Sequence, residues 1–206
     1  MEKLSEKKIE RLSLYRRRLY VEQKSRDYIF SHDLAKIANS NAAQVRRDLM
    51  SVGYAGSTKK GYNIKLLIKH ISDFLDPEFR ENVVLVGAGN LGRALLTFFK
   101  NRQAKLCLVA AFDTDPKKVG RDIGGTKCFH TDELAEVIRE RNVKIGVIST
   151  NEAATEEVAE KMVAAGIKSI INFTCIPVKA IPGVFVEQVD ITASFEKAAF
   201  FTKKLI

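Results

Sequence analysis

The chain has 206 residues, 46% of them hydrophobic and 29% charged, which is enough for one large domain or two small ones. Its net charge of +9 is unevenly placed: residues 1–80 hold 17 Lys+Arg against 10 Asp+Glu, a net +7, and residues 81–206 hold 17 against 15, a net +2. No apolar run reaches the roughly 18 residues of a membrane helix, the N-terminus has no apolar signal-peptide core, and Cys107, Cys128 and Cys175 lack the spacing of a zinc site or redox pair. This points to a cytoplasmic protein with reduced, structural cysteines and no metal. The basic first part points to a polyanionic partner, though charge alone does not separate DNA from RNA or an anionic membrane.

The first predicted element is a helix over residues 5–23, with Ile9, Leu12, Leu19 and Tyr20 interleaved with Arg11, Arg16, Arg17 and Arg18. Ser31 reads as an N-cap for a short helix from Asp33 to Ala38. Asn39-Ser40-Asn41 breaks it, and a second helix runs from Ala42 to Val52, stopping at Gly53. Two short helices with a brief break form a helix-turn-helix. Ala35, Asn39 and Val45 stand where that motif needs close packing, a turn and a core contact.

Val45, Leu49 and Val52 recur at four and three, so they share the buried face of the second helix. Ala43 and Arg47 lie opposite, flanked by Gln44 and Arg46, a face of amide and guanidinium donors suited to a major groove. A solvated basic face is the alternative. From Tyr54 to Ile64, glycines and alternating apolar residues predict a β-hairpin wing with Lys59 and Lys60 at its tip, or else a flexible loop. Leu66 to Leu75 reads as a helical link, and Asp76-Pro77 marks the boundary.

Beyond it, Asn82 to Val86 is a strand-type run, followed by Gly87-Ala88-Gly89-Asn90-Leu91-Gly92 and a helix from Arg93 to Lys100. Gly87 permits a tight turn, Gly89 lets a pyrophosphate approach the backbone, and Gly92 lets helix and strand pack closely. A second strand, Leu106 to Phe112, ends at Asp113, which is placed to take ribose hydroxyls. Strand, glycine triad, helix, strand and acid in this order make a dinucleotide-binding fingerprint. Asp113 favours NAD over NADP because a carboxylate repels a 2′-phosphate; Lys117 and Lys118 read as ordinary surface charges.

The βα rhythm continues with a helix from Asp132 to Arg141 capped by Thr131, a strand from Lys144 to Ser149 and a helix from Ala153 to Ala165 ended by Gly166. Strands from Lys168 to Phe173 and from Gly183 to Val189 follow. Alternation of this kind predicts a parallel sheet with helices on both faces. Loops Thr150-Asn151-Glu152 and Thr174-Cys175-Ile176-Pro177 would edge the cofactor crevice. His130 reads as a capping or surface residue, and no catalytic constellation is evident. No substrate domain remains, so the nucleotide reads as a signal. The terminal helix, Asp190 to Ile206, carries Phe195, Phe200 and Phe201, which dock on their own sheet or exchange into a twin subunit.

Taken together, Ala43-Gln-Val-Arg-Arg-Asp-Leu, Val86-Gly-Ala-Gly-Asn-Leu-Gly, Phe112-Asp-Thr-Asp-Pro-Lys-Lys-Val-Gly and Ala164-Ala-Gly-Ile-Lys-Ser-Ile-Ile-Asn-Phe make the chain resemble the Rex family of redox-sensing transcriptional repressors. The resemblance implies an α/β chain of three parts: a winged helix-turn-helix domain (1–80), a Rossmann domain (81–190) and a swapped C-terminal dimerisation helix (191–206). It implies a homodimer that binds a palindromic operator and is released by NADH. From the family the nucleotide site, for NADH or NAD, carries over as Gly87, Gly89, Gly92 and Asp113, with Asp115 just behind and Phe98 by the nicotinamide; the fingerprint itself adds Ala88, Asn90 and Leu91, and the crevice loop adds Thr150. Arg17 and Asp190 match a pair that reports the dimer state. Ile191 stands where some relatives carry an aromatic, and the wing, Thr58-Lys59-Lys60-Gly61-Tyr62, has lysine where the family has arginine. Two rival readings stay open on the residues: a small NAD-dependent oxidoreductase with a basic extension, and a nucleotide-binding subunit whose basic helices meet a protein.

Overall fold

The computed structural model describes residues 5–100 and 105–205, with the side chains of Lys100 and Leu205 left aside. Met1 to Leu4, part of the stretch read as lacking a signal core, and Ile206, the predicted end of the last helix, lie outside the described residues. The chain divides into two compact units, residues 1–78 and 79–206. Among the described residues no helix is long and apolar enough to cross a membrane.

In the first unit, α1 (Glu6–Glu22) buries Leu12, Tyr15 and Leu19, the stripe set by spacings of three and four residues. Strand β1 (Tyr28–Ile29) leads into α2 (Ser31–Ile37) and α3 (Ala42–Ser51). Ser31 is not the cap of α2 but its first residue. Phe30 holds the cap position, and the Asp33 carboxylate accepts from its backbone N–H. The Ser31 hydroxyl instead accepts from Arg46 of α3 at 3.2 Å. Asn39 takes the left-handed conformation (φ 47°) that closes the turn between the two helices, and Asn41 caps α3 by accepting from the Gln44 N–H at 2.8 Å.

Strand β2 (Tyr62–Asn63) pairs antiparallel with β1, and α4 (Ile64–Leu75) follows directly. The predicted hairpin is thus much reduced. Its arms meet only at a Ser57–Gly61 bridge, and the strand that follows, β2, pairs with β1 and not with the first arm. The first arm is short because the Tyr54 N–H is already spent on the Leu49 carbonyl at 3.3 Å, at the end of α3, and only Ala55 and Gly56 remain before the bridge; the Tyr54 ring stacks on His70 of α4 at 4.8 Å. Leu12, Leu34, Val45, Leu49, Leu67 and Ile71 meet in this unit's core.

The second unit is a seven-stranded sheet in the order β5-β6-β4-β3-β7-β8-β9. Its strands are β3 (Glu81–Val86), β4 (Leu106–Asp113), β5 (Asp122–Ile123), β6 (Thr126–His130), β7 (Ile145–Ile148), β8 (Ser169–Asn172) and β9 (Phe185–Gln188). All pairs are parallel except β5 with β6. Helices α5 (Asn90–Lys100), α6 (Leu134–Glu140) and α7 (Thr155–Ala165) connect them, and α8 (Ile191–Leu205) closes the chain.

Valines and isoleucines fill β3, β7 and β8 because both faces of the sheet are covered. Val84, Phe112, Ile148 and Ile170 face one core, and Leu85, Leu96, Ala111 and Cys128 another. Because the sequence runs outward from β3 in both directions, a crevice opens beyond the C-terminal ends of β3, β4 and β7. Thr131 is not a helix cap. The His130 Nδ1 accepts from the Asp132 N–H at 3.3 Å, and a turn of 3-10 helix precedes α6.

Cys107 is half-buried and accepts from Arg80 at 3.0 Å, Cys128 is buried and Cys175 is exposed. All three are free. Among the described residues no group of three His, Cys, Asp or Glu is placed to hold a metal ion.

Candidate functional site: a nucleotide crevice and a basic helix face

Each unit carries one candidate site. In the second, the turn after β3 is built by its glycines. Gly87 has φ +98°, and a Cβ there would collide with the backbone of Ser149, while one at Gly92 would collide with the Gly87 carbonyl. Gly89 differs: a Cβ on it would meet nothing within 4 Å, so its face is open. Helix α5 begins immediately after it, at Asn90, and the N-terminus of a helix favours an anion. The residues therefore fit a dinucleotide pyrophosphate.

The adjoining cavity, about 290 Å³, is lined among others by Gly87, Gly89, Asp113, Lys118, Thr150 and Asn151. The Asp113 carboxylate accepts from the Ala88 N–H at 2.9 Å, the Asp115 N–H at 2.9 Å and Lys118 Nζ at 2.8 Å. Burial works against its charged form. The hydrogen bonds and charge of Lys118 and the two backbone donors outweigh that and hold the carboxyl below the usual carboxylate range. Asp113 thus ties the glycine turn to the loop after β4 while facing the cavity.

Lys118 is not an ordinary surface charge. It pairs with Asp113, its side chain is 24% exposed, and it lies 3.9 Å from Asp115. Lys117 is exposed.

Other predicted residues lie at varying remove. Ala88 is fully buried, and Asn90, Leu91 and Gly92 start α5 without lining the cavity. Phe98, further along α5, is half-exposed, lies outside the cavity lining and packs edge-on against Phe99. Of the two predicted edge loops, only the first contributes, through Thr150 and Asn151. The loop after β8 is engaged elsewhere: Thr174 bonds Asn172 and Thr155, and its carbonyl accepts from Gln188 at 2.7 Å. Thr131, read from sequence only as a cap, lines the cavity together with Leu134 and Val158, which were not singled out from sequence. Leu134 and Val158 are apolar residues of α6 and α7 that also belong to the core stripe, so spacing gives no separate signal for them.

In the first unit, α3 turns Val45 and Leu49 into the core and leaves Ala43, Arg46 and Arg47 exposed. Gln44 is half-buried. Its Nε2 donates to Asp48 at 2.8 Å, and its Oε1 accepts from Arg47 at 3.0 Å. Asp48, fully buried, also accepts from Arg11 at 2.7 and 2.8 Å and from the Tyr15 hydroxyl at 3.1 Å. Burial opposes its charge, but the bonds from Arg11, Gln44 and Tyr15 and the Arg11 charge together hold its carboxyl below the usual range. Burial first, and then Asp48, push Tyr15 up to about 12.

Lys59 and Lys60 are exposed in the turn, where their N–H groups donate to the Ser57 hydroxyl. Arg17 is an exposed residue of α1. Asp190 caps α8, accepting from the Ala193 N–H at 2.7 Å.

Comparison with known proteins agrees with both halves. The "CoA binding domain" family model matches residues 80–176, and the "Putative DNA-binding protein N-terminus" model matches residues 3–49. The Redox-sensing transcriptional repressor Rex of Carboxydothermus hydrogenoformans is 38% identical over 96% of this chain and 96% of its own. That of Desulfitobacterium hafniense is 36% identical over 96% and 95%. Among solved structures, RSP, a Rex-family repressor, is 27% identical and superposes over 99% of this chain and 97% of its own with a TM-score of 0.89. RSP has also been crystallised with β-NADH (TM-score 0.86) and with β-NAD+ and operator DNA (TM-score 0.91). These relatives are transcriptional repressors. The chain belongs to the Rex family of redox-sensing transcriptional repressors.

Proposed function

We propose that this chain is a repressor that binds a palindromic operator as a homodimer in the cytoplasm and leaves it when NADH replaces NAD. Residues 1–80 contact DNA, residues 81–190 hold the nucleotide and residues 191–206 form the dimer helix. The observation that carries this is the coexistence, in one chain, of a glycine cradle open at Gly89 and a helix-turn-helix whose second helix exposes Arg46 and Arg47.

Gly87 to Gly92 receive the pyrophosphate, Asp113 and Asp115 the adenosine ribose, Thr150 lines the way to the nicotinamide, and Phe98, which stands outside that cavity, meets the nicotinamide from beside it. Ala43, Gln44, Arg46 and Arg47 face the major groove, and Lys59 and Lys60 reach phosphates. The dimer rests on α8, whose Phe195, Phe200 and Phe201 are 73%, 54% and 59% exposed. An apolar surface of this kind on a terminal helix needs a partner, and a twin subunit supplies one. Arg17 and Asp190 form the charge pair that changes with the dimer's state.

The test is to select duplexes from a random pool with the full chain, with and without NADH, and to measure mass by sedimentation. A palindromic sequence recovered only at low NADH, bound by a dimer, is expected. Recovery of no preferred sequence, or turnover of NADH with carbonyl substrates, would overturn the reading.

A further inference from the structure

The recognition helix does not present its polar groups equally. Asp48, on the inner side of α3, is fully buried and holds Arg11 through both carboxylate oxygens, which makes it an ionised acceptor with no hydrogen to give. The amide of Gln44 therefore has only one favourable orientation. Its NH2 faces Asp48 at 2.8 Å, and its carbonyl oxygen faces the exposed side of the helix, where it accepts from Arg47 at 3.0 Å. A glutamine that reads adenine must turn both its NH2 and its carbonyl to one base edge. Gln44 has each engaged in a different direction. Arg47 uses one of five guanidinium N–H donors on Gln44 and keeps the others, a contact that favours one placement of its guanidinium.

We propose that Gln44, anchored by Asp48, is a positioning residue for Arg47, and that Arg47 is the base reader, specific for the two major-groove acceptors of a guanine. This rests on the DNA-binding reading of α3. It assigns Gln44 an indirect role and Arg47 most of the base discrimination on this helix. Holding the guanidinium in advance lowers the side-chain entropy lost on docking.

The experiment uses the full chain and the duplex it selects from a random pool, read by fluorescence anisotropy against a scrambled duplex. Gln44→Ala, Arg47→Ala and the double variant complete a cycle. Arg47→Ala should lower the specific-to-nonspecific ratio about 5- to 150-fold, the range for one bidentate base contact. Gln44→Ala should lose part of that in the wild-type background and change the ratio less than about twofold once Arg47 is gone. Replacing one guanine of the half-site by 7-deazaguanine should weaken the wild type and leave Arg47→Ala unaffected.

Additive losses would show that Gln44 touches DNA itself and would overturn the relay while leaving DNA binding intact. A loss for Arg47→Ala that is uniform across sequences would make Arg47 a phosphate contact and overturn its role as reader. A wild type that selects no duplex would overturn the DNA-binding reading, and the relay with it.

Discussion

Asp113→Ala should change which nucleotide the crevice takes, not only how tightly. An ionised carboxylate offers about four acceptor positions, and Ala88, Asp115 and Lys118 occupy three of them at 2.8–2.9 Å. About one position remains for a ribose hydroxyl. A hydrogen bond to a charged group contributes about 1.5–3 kcal/mol, so its loss should weaken NADH about 10- to 150-fold. NADPH should respond differently. In the wild type its 2′-phosphate would meet the Asp113 charge. In the variant that charge is gone and Lys118, 2.8 Å from the carboxylate before, is released as a cation beside the ribose. The NADH/NADPH affinity ratio should therefore narrow by about tenfold or more. Calorimetric titration of the DNA-free protein with each nucleotide measures it, and Lys118→Ala, which leaves Asp113 unneutralised, should move the ratio the other way. An unchanged ratio in Asp113→Ala would refute the assignment and transfer the ribose contact to Asp115 or to neither.

Gly89→Val should leave the melting temperature as it is, because a Cβ there meets nothing within 4 Å, and should abolish binding of both NADH and NADPH in the same titration; retained NADH binding would reject the cradle. Asp48→Asn should cost about 3 kcal/mol, the low end for breaking a buried pair, since Arg11 is 26% exposed and can be hydrated. Because Asp48 has its carboxyl lowered on folding, its contribution is complete above the ordinary value of 3.8 and is lost as pH falls below it. Calorimetric melting followed from about pH 5 down towards about pH 2, within the span in which paired carboxylates titrate, should run parallel for the two proteins above 3.8 and fall more steeply for wild type than for Asp48→Asn below it; curves parallel throughout would contradict this. Arg17→Ala should change the NADH concentration that releases DNA far more than NADH binding to the free protein. Since coupling is reciprocal, NADH affinity measured with and without operator decides it, and an unchanged coupling factor rejects the switch role.

The long periodic elements were legible because one pattern had one solution. In α3 the apolar residues recur at three and four and nothing competes, whereas in α1 the sequence reading names Ile9 and Tyr20, which are exposed, and passes over Tyr15, which is buried with Leu12 and Leu19. In β3 a run of Val-Val-Leu-Val must be buried on both faces. Short elements failed where packing overrode a local signal. Ser31 is a good cap by type, yet Phe30 and Asp33 supply the cap one residue earlier, and the serine hydroxyl goes to Arg46. Strand β6 was missed because Lys127 and His130 break its apolar run; the strand exists because Cys128 and Phe129 fall opposite Ala111 and Phe112 of β4, a tertiary fact. The wing is reduced to a bridge, with the Tyr54 N–H held by the Leu49 carbonyl at the end of α3.

At the sites, sequence spacing located residues but not the state of their polar atoms. The fingerprint put Asp113 at the end of a strand, and the structure adds that most of its acceptor capacity already serves Ala88, Asp115 and Lys118. Lys118 is five residues from Asp113 along a loop, and no helical or strand period brings them together, so it could be read only as surface charge. Helical stepping put Gln44 on the exposed face, which is right for its Cα. Its side chain lies along the helix instead, because the carboxylate of Asp48, one turn on, is buried and accepts whatever donor is nearest. A donor or acceptor becomes a reading head only when the fold leaves it unclaimed. In α3 the groups that remain are the guanidinium groups of Arg46 and Arg47, and of these Arg46 is drawn to Ser31 at the start of α2 while Arg47 is steadied by a neighbour on its own helix. That asymmetry, invisible in a string where the two arginines are adjacent and alike, makes Arg47→Ala and Arg46→Ala unequal experiments: the first should relax base preference, and the second should weaken binding to all sequences alike.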